Sequence, residues 1–82
     1  MKAKIKVYLK AGILDPQGKA VLHAINDLKY SDVNNVRIGK YIEITFNNGE
    51  PEKLRREAEE ICGKLLANPV MENYEIEFED QP

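Results

Sequence analysis

The chain has 82 residues, a formal net charge of −2 and a sequence pI near 5.4. An acidic balance argues against a nucleic-acid binder or a binder of anionic membranes, since both need a basic surface. One cysteine (Cys62) and one histidine (His23) exclude an intrachain disulfide and a His/Cys zinc cluster.

Residues 3–10, AKIKVYLK, place Ile5, Val7 and Leu9 in alternation with Lys4, Lys6, Tyr8 and Lys10. That is the period of a half-buried strand. Residues 11–18, AGILDPQG, form a loop that ends in a helix start. Asp15 supplies the N-cap acceptor, and Pro16 sits where a missing N–H costs nothing. The first helix is predicted over Pro16–Lys29, with Val21, Ala24, Ile25 and Leu28 as its apolar stripe. Residues 34–47 carry Val36, Ile38, Ile42, Ile44 and Phe46, all at even positions. A tight hairpin at Gly39-Lys40 would flip that phase, so one continuous strand, bent or bulged at Gly39, is expected. About 13 residues at ~3.3 Å each span about 43 Å. A compact chain of this length is roughly 30 Å across. The strand should therefore overhang its own monomer and pair with, or exchange into, a second copy.

After the turn NNGE, Pro51 opens a second helix, predicted to about Ala67, with Leu54, Ala58, Ile61, Cys62 and Leu65 buried. Asn68-Pro69 stops it. A last strand over 74–79 points Tyr74, Ile76 and Phe78 one way and Glu75, Glu77 and Glu79 the other. The fold class is α+β: a single domain over 1–82, in β-α-β-α-β order. It is expected to be a small two-layer sandwich with both helices on one face and a long central strand shared across a dimer. The lysine face of the first strand would complement the glutamate face of the last, were they neighbours.

Catalytic equipment is sparse. Cys62 falls on an apolar helical stripe and reads as core filler. His23 reads as a surface or half-buried structural residue. The loop before the first helix lacks the pattern of a phosphate cradle, and Asp15 would repel an anion. What remains are contact candidates: Ile13, Leu14, Asp15, Pro16, Gln17 and Gly18 on the loop, and Arg37, Gly39 and Lys40 on the strand.

Three stretches together resemble the PurS family: Lys10-Ala-Gly-Ile-Leu-Asp-Pro-Gln-Gly18, Val36-Arg-Ile-Gly-Lys40 and Cys62-Gly-Lys-Leu-Leu-Ala-Asn-Pro-Val70. That family is the small subunit of phosphoribosylformylglycinamidine (FGAM) synthase. Separately, no apolar run reaches membrane-spanning length and no signal core follows Met1-Lys2-Ala3-Lys4, so a cytoplasmic chain is expected. The resemblance implies a glutamine-dependent, ATP-consuming C–N ligase complex of purine biosynthesis. In it a large synthetase subunit uses ATP and magnesium, and a glutaminase subunit supplies ammonia from glutamine. This chain would join the two as a homodimer or higher oligomer and hold no cofactor, metal or catalytic residue itself. Neither nucleic acid nor membrane is implied as a partner. Three other readings compete: a regulatory domain sensing an amino acid or nucleotide at a dimer interface, an acyl-phosphate hydrolase using Arg37, and an RNA-binding sheet face. The hydrolase lacks a glycine-rich cradle before Arg37, and the RNA surface has only Tyr8 for stacking.

Overall fold

The structure is a computed structural model that describes residues 1–80. Its elements are β1 (Lys2–Leu9), α1 (Pro16–Asp27), β2 (Gly39–Thr45), α2 (Pro51–Ile61), a π turn over Cys62–Leu66, and β3 (Glu72–Glu79). The β-α-β-α-β order matches the sequence reading. The strands form one antiparallel sheet in the order β2-β1-β3, so the first strand is central and the second lies at an edge.

Alternation along β1 divides the sheet into two faces. Ala3, Ile5 and Val7 are essentially inaccessible and pack against Ala58 and Cys62 of α2 and its π turn. Ile42, Ile44 and Phe46 from the β2 side, and Tyr74, Ile76 and Phe78 from β3, flank this row half-buried. Arg55 of α2 lies over the Phe78 ring, and the Tyr74 hydroxyl donates to Glu59 at 3.1 Å. On the open face Lys2, Lys4 and Lys6 stand in register with Glu79, Glu77 and Glu75. The lysine and glutamate rows are thus neighbours within one chain, with Lys4 paired to Glu79 and Lys2 to Glu43.

Three features differ from the sequence expectation. The regular strand β2 begins at Gly39, so only the second half of the expected 35–47 strand joins the ladder. The preceding segment has no sheet partner among the described residues of the single chain. At this first rung, opposite Tyr8, the backbone lies so close to β1 that a Cβ at Gly39 would sit 2.8 Å from the Val7 carbonyl oxygen and force a shift. Next, Leu65 is 77% exposed rather than buried. The end of the second helix widens to a π turn, in which the Ala67 amide donates to the Cys62 carbonyl five residues back. That shifts the helical phase, turning Leu65 outward and Leu66 and Ala67 onto the core.

The last difference concerns α1. Of the two helices only α2 covers the sheet. Among the described residues none of α1 belongs to the core, and Gly18 is the one buried residue on that helix. Val21 is 40% and Leu28 68% exposed, although both lie on the expected stripe. The radius of gyration is 16.5 Å, with principal extents of 50 × 31 × 14 Å. A compact chain of this length would have a radius near 12 Å. The helix itself is well formed. Asp15 caps it, Pro16 opens it, and it closes with a Schellman motif. There the Lys29 amide donates to Asn26 and the Tyr30 amide to Ile25, with Lys29 at φ 74°.

Candidate interface

Because both neighbours of β1 are antiparallel to it, the end of β1 lies beside the starts of β2 and β3. The three signature stretches therefore converge at one end of the sheet, though they are far apart in sequence. Their contacts are specific. Asp15 is 5% exposed. Its carboxylate accepts from the Gly18 amide at 2.9 Å and the Ile38 amide at 2.7 Å. These two bonds, that of Ile38 foremost, hold its carboxyl below the usual carboxylate range, and the Arg37 charge adds to the effect. Gly18 is buried beneath the Val36 carbonyl, and a Cβ at residue 18 would overlap that oxygen. Arg37 donates from Nη1 to the Ile13 carbonyl at 2.9 Å and from Nη2 to the Lys10 carbonyl at 3.3 Å. The guanidinium is thus engaged with the loop rather than free on a surface patch.

The third stretch closes the same end from the β3 side. Asn68 turns the chain: its Oδ1 accepts the Val70 amide at 2.9 Å, and its backbone carbonyl accepts the Glu72 amide at 2.7 Å. Lys10 reaches across to the Pro69 carbonyl at 2.8 Å, and Lys40 approaches Glu72 at 3.9 Å. Gln17, Gly39, Lys40 and Glu72 help line a hollow of about 220 Å³ between these parts.

The predicted contact residues thus divide in two. Asp15, Gly18, Arg37 and Gly39 build the end of the sheet. Leu14 at 61% exposure, together with Pro16, Gln17 and Lys40, is turned to solvent, while Ile13 is half-buried. Sequence reasoning missed Lys10, Glu72, Val70 and Met71. Val70 and Met71 are 78% and 42% exposed and lie within the turn that Asn68 and Glu72 close. The resemblance draws attention to the Asn68-Pro69 stretch, but a helix stop explains it without any partner. Only the strand order places it beside Lys10.

The chemistry available is that of contact. Burial pushes the Cys62 thiol up and away from thiolate, and Glu59 adds to the shift. His23 lies on α1, 3.5 Å from Asp27. Among the described residues no group of three His, Cys, Asp or Glu side chains is placed to hold a metal ion, and no helix is long and apolar enough to cross a membrane.

Comparison with known proteins gives this arrangement a context. The PurS family model, described as phosphoribosylformylglycinamidine (FGAM) synthase, matches residues 2–80. The PurS subunit of phosphoribosylformylglycinamidine synthase from Bacillus subtilis is 47% identical, over 96% of this chain and 93% of that protein. The Methanocaldococcus jannaschii subunit is 42% identical, over 95% and 94%. A solved structure of B. subtilis PurS superposes with a TM-score of 0.86 over 96% of this chain and 98% of that one. A chain in a structure of PurLQS from Thermotoga maritima superposes at 0.83, with 30% identity over 93% of each. Signature stretches, fold and full-length likeness agree, and the chain belongs to the PurS family of FGAM synthase subunits.

Proposed function

We propose that this chain is the small subunit of a glutamine-dependent FGAM synthase in purine biosynthesis, joining a large synthetase subunit to a glutaminase subunit. The observation that carries the reading is its likeness, over 93% of both chains, to a chain of the T. maritima PurLQS assembly. In this reading ATP, magnesium and glutamine are handled by the partner subunits. The chain contributes shape, through the rim of Leu14, Gln17, Lys40, Val70 and Met71 around the end where its signature stretches meet. The test is co-purification with the two candidate subunits in the presence of ATP, magnesium and glutamine, followed by mass measurement. A stable complex containing all three chains is expected. Failure of this chain to enter any complex, while the other two remain active with glutamine, would contradict the proposal.

The chain acts in this assembly as a homodimer that exchanges α1. Each sheet carries one helix, and the named contacts of α2 with a flanking strand are to β3. The Ile42, Ile44 and Phe46 row remains half-buried, and on α1 Val21, Ala24 and Leu28 of the apolar stripe are exposed. A second copy supplies what each lacks: α1 of one protomer against the sheet of the other, with the segment before Gly39 running between them. Exposed apolar surface of this kind is a cost that association removes. This accounts for the overhang inferred from the sequence in a different way: the overhanging part is the helix with its return, rather than a continuous strand.

A further inference from the structure

The connection from Lys10 to Ile38 joins two neighbouring strands at the same end of the sheet. It is long enough to carry a helix away and bring the chain back. In a free connection an apolar helical stripe would fold back onto the chain's own half-covered sheet face, because burial of apolar surface is favourable and local contacts are reached first. Here it does not. The reason lies at its root, where outgoing and returning chains are tied together. The Asp15 carboxylate bridges the first turn of α1, at the Gly18 amide, to the last residue before β2, at the Ile38 amide. The Arg37 guanidinium ties the returning chain to the Lys10 and Ile13 carbonyls. Gly18 lets the Val36 carbonyl approach so closely that no other side chain would fit without a backbone shift. Beyond these contacts none of the described residues of α1 joins the core.

We propose that the Asp15–Arg37 clasp is a positioning device that holds α1 away from its own sheet and thereby makes the arm available for exchange with a second copy. Domain exchange transfers an element intact between identical protomers, so its outcome is decided at the hinge rather than in the transferred interface. The clasp fixes the direction of α1 against the segment leading into β2, and the contacts it uses are all within one chain. This inference rests on the homodimer reading above and adds to it a cause.

The experiment uses Arg37→Ala, Asp15→Ala and the double variant of the full chain. Self-association is read by equilibrium sedimentation, monomer size at high dilution by small-angle scattering, and folding by circular dichroism. For the double variant the dimer dissociation constant is expected to rise at least tenfold. Its monomer should contract from the extended radius of the wild type toward about 12 Å. A folded double variant with the wild-type dissociation constant, or one whose monomer stays as extended as the wild type, overturns the proposal. A variant that merely melts earlier, with both quantities unchanged, also overturns it. Should Asp15→Ala fail to fold, Arg37→Ala, altered at an exposed side chain, reads the same two quantities, with a threefold or greater weakening expected. A wild-type chain that stays monomeric at every concentration removes the homodimer reading. The monomer radius of Arg37→Ala then still decides whether the clasp sets the arm.

Discussion

The sheet with α2 and the arm with α1 follow the same amphipathic rule and reach opposite situations. Ala58 and Cys62 on α2 and its π turn are packed against Ala3, Ile5 and Val7, and Leu54 is buried beside Gly49. Val21 and Leu28 on α1 stand in solvent. Both helices open on a proline after a turn, and both carry an apolar stripe at helical spacing. The difference arises outside the helices. The turn before α2 brings it over the core, whereas the Asp15–Arg37 clasp carries α1 away. A stripe therefore states that a helix needs a partner, and the connection states whose.

This contrast can be broken most forcefully in the core. Ile5→Ala removes a fully buried side chain from the central strand and should cost about 3 kcal/mol, measured by denaturant unfolding. Leu28→Ala should instead leave the unfolding free energy of the isolated monomer within about 0.5 kcal/mol. Its effect should appear as weaker self-association. Equal monomer losses at the two positions would mean that α1 packs on its own sheet.

Gly18→Ala tests the root of the arm. The added methyl meets the Val36 carbonyl and the Asp15 carboxylate, so the backbone must shift. A loss of about 1–3 kcal/mol is expected for such overpacking. Smaller again is the response to acid. The Asp15 carboxyl is held below its ordinary range in the folded chain. Its stabilisation is therefore complete above the ordinary carboxylate pKa and fades as pH falls through the lowered folded value. The melting-temperature advantage of wild type over Asp15→Asn should be constant from neutral pH down to about pH 5 and shrink below about pH 4. A constant difference at all pH would show that the charge on Asp15 contributes nothing. The smallest change is at Lys29, whose left-handed backbone favours glycine. Lys29→Gly should stabilise the chain by roughly 0.5 kcal/mol in the same unfolding assay.

The outer strands in sequence, β1 and β3, and the body of α2 were legible because their signals are local, whereas the alternation at Val36 and Ile38 extended β2 past its true start at Gly39. Alternation at Ile5 and Val7, and the spacing of Leu54, Ala58 and Cys62, report which side chains face inward. The start of α1 was equally plain from Asp15-Pro16. Strand order was not legible, since alternation does not say which strands are neighbours; Lys10 and Glu72 were missed for that reason. Leu65 was misplaced because a π turn changes the helical period, and nothing in Cys62-Gly63-Lys64-Leu65 announces it. Arg37 looked like an exposed interface charge because its acceptors, the Lys10 and Ile13 carbonyls, are backbone atoms that leave no mark in composition.

The contrast between the two helices is tested most directly by amide hydrogen exchange at a series of protein concentrations. The account predicts that amides of α1 gain protection as concentration rises and lose it on dilution. Over the same series those of β1 at Ile5 and Val7 should stay protected. Protection of α1 that is strong and independent of concentration would place this helix on its own sheet and contradict the account.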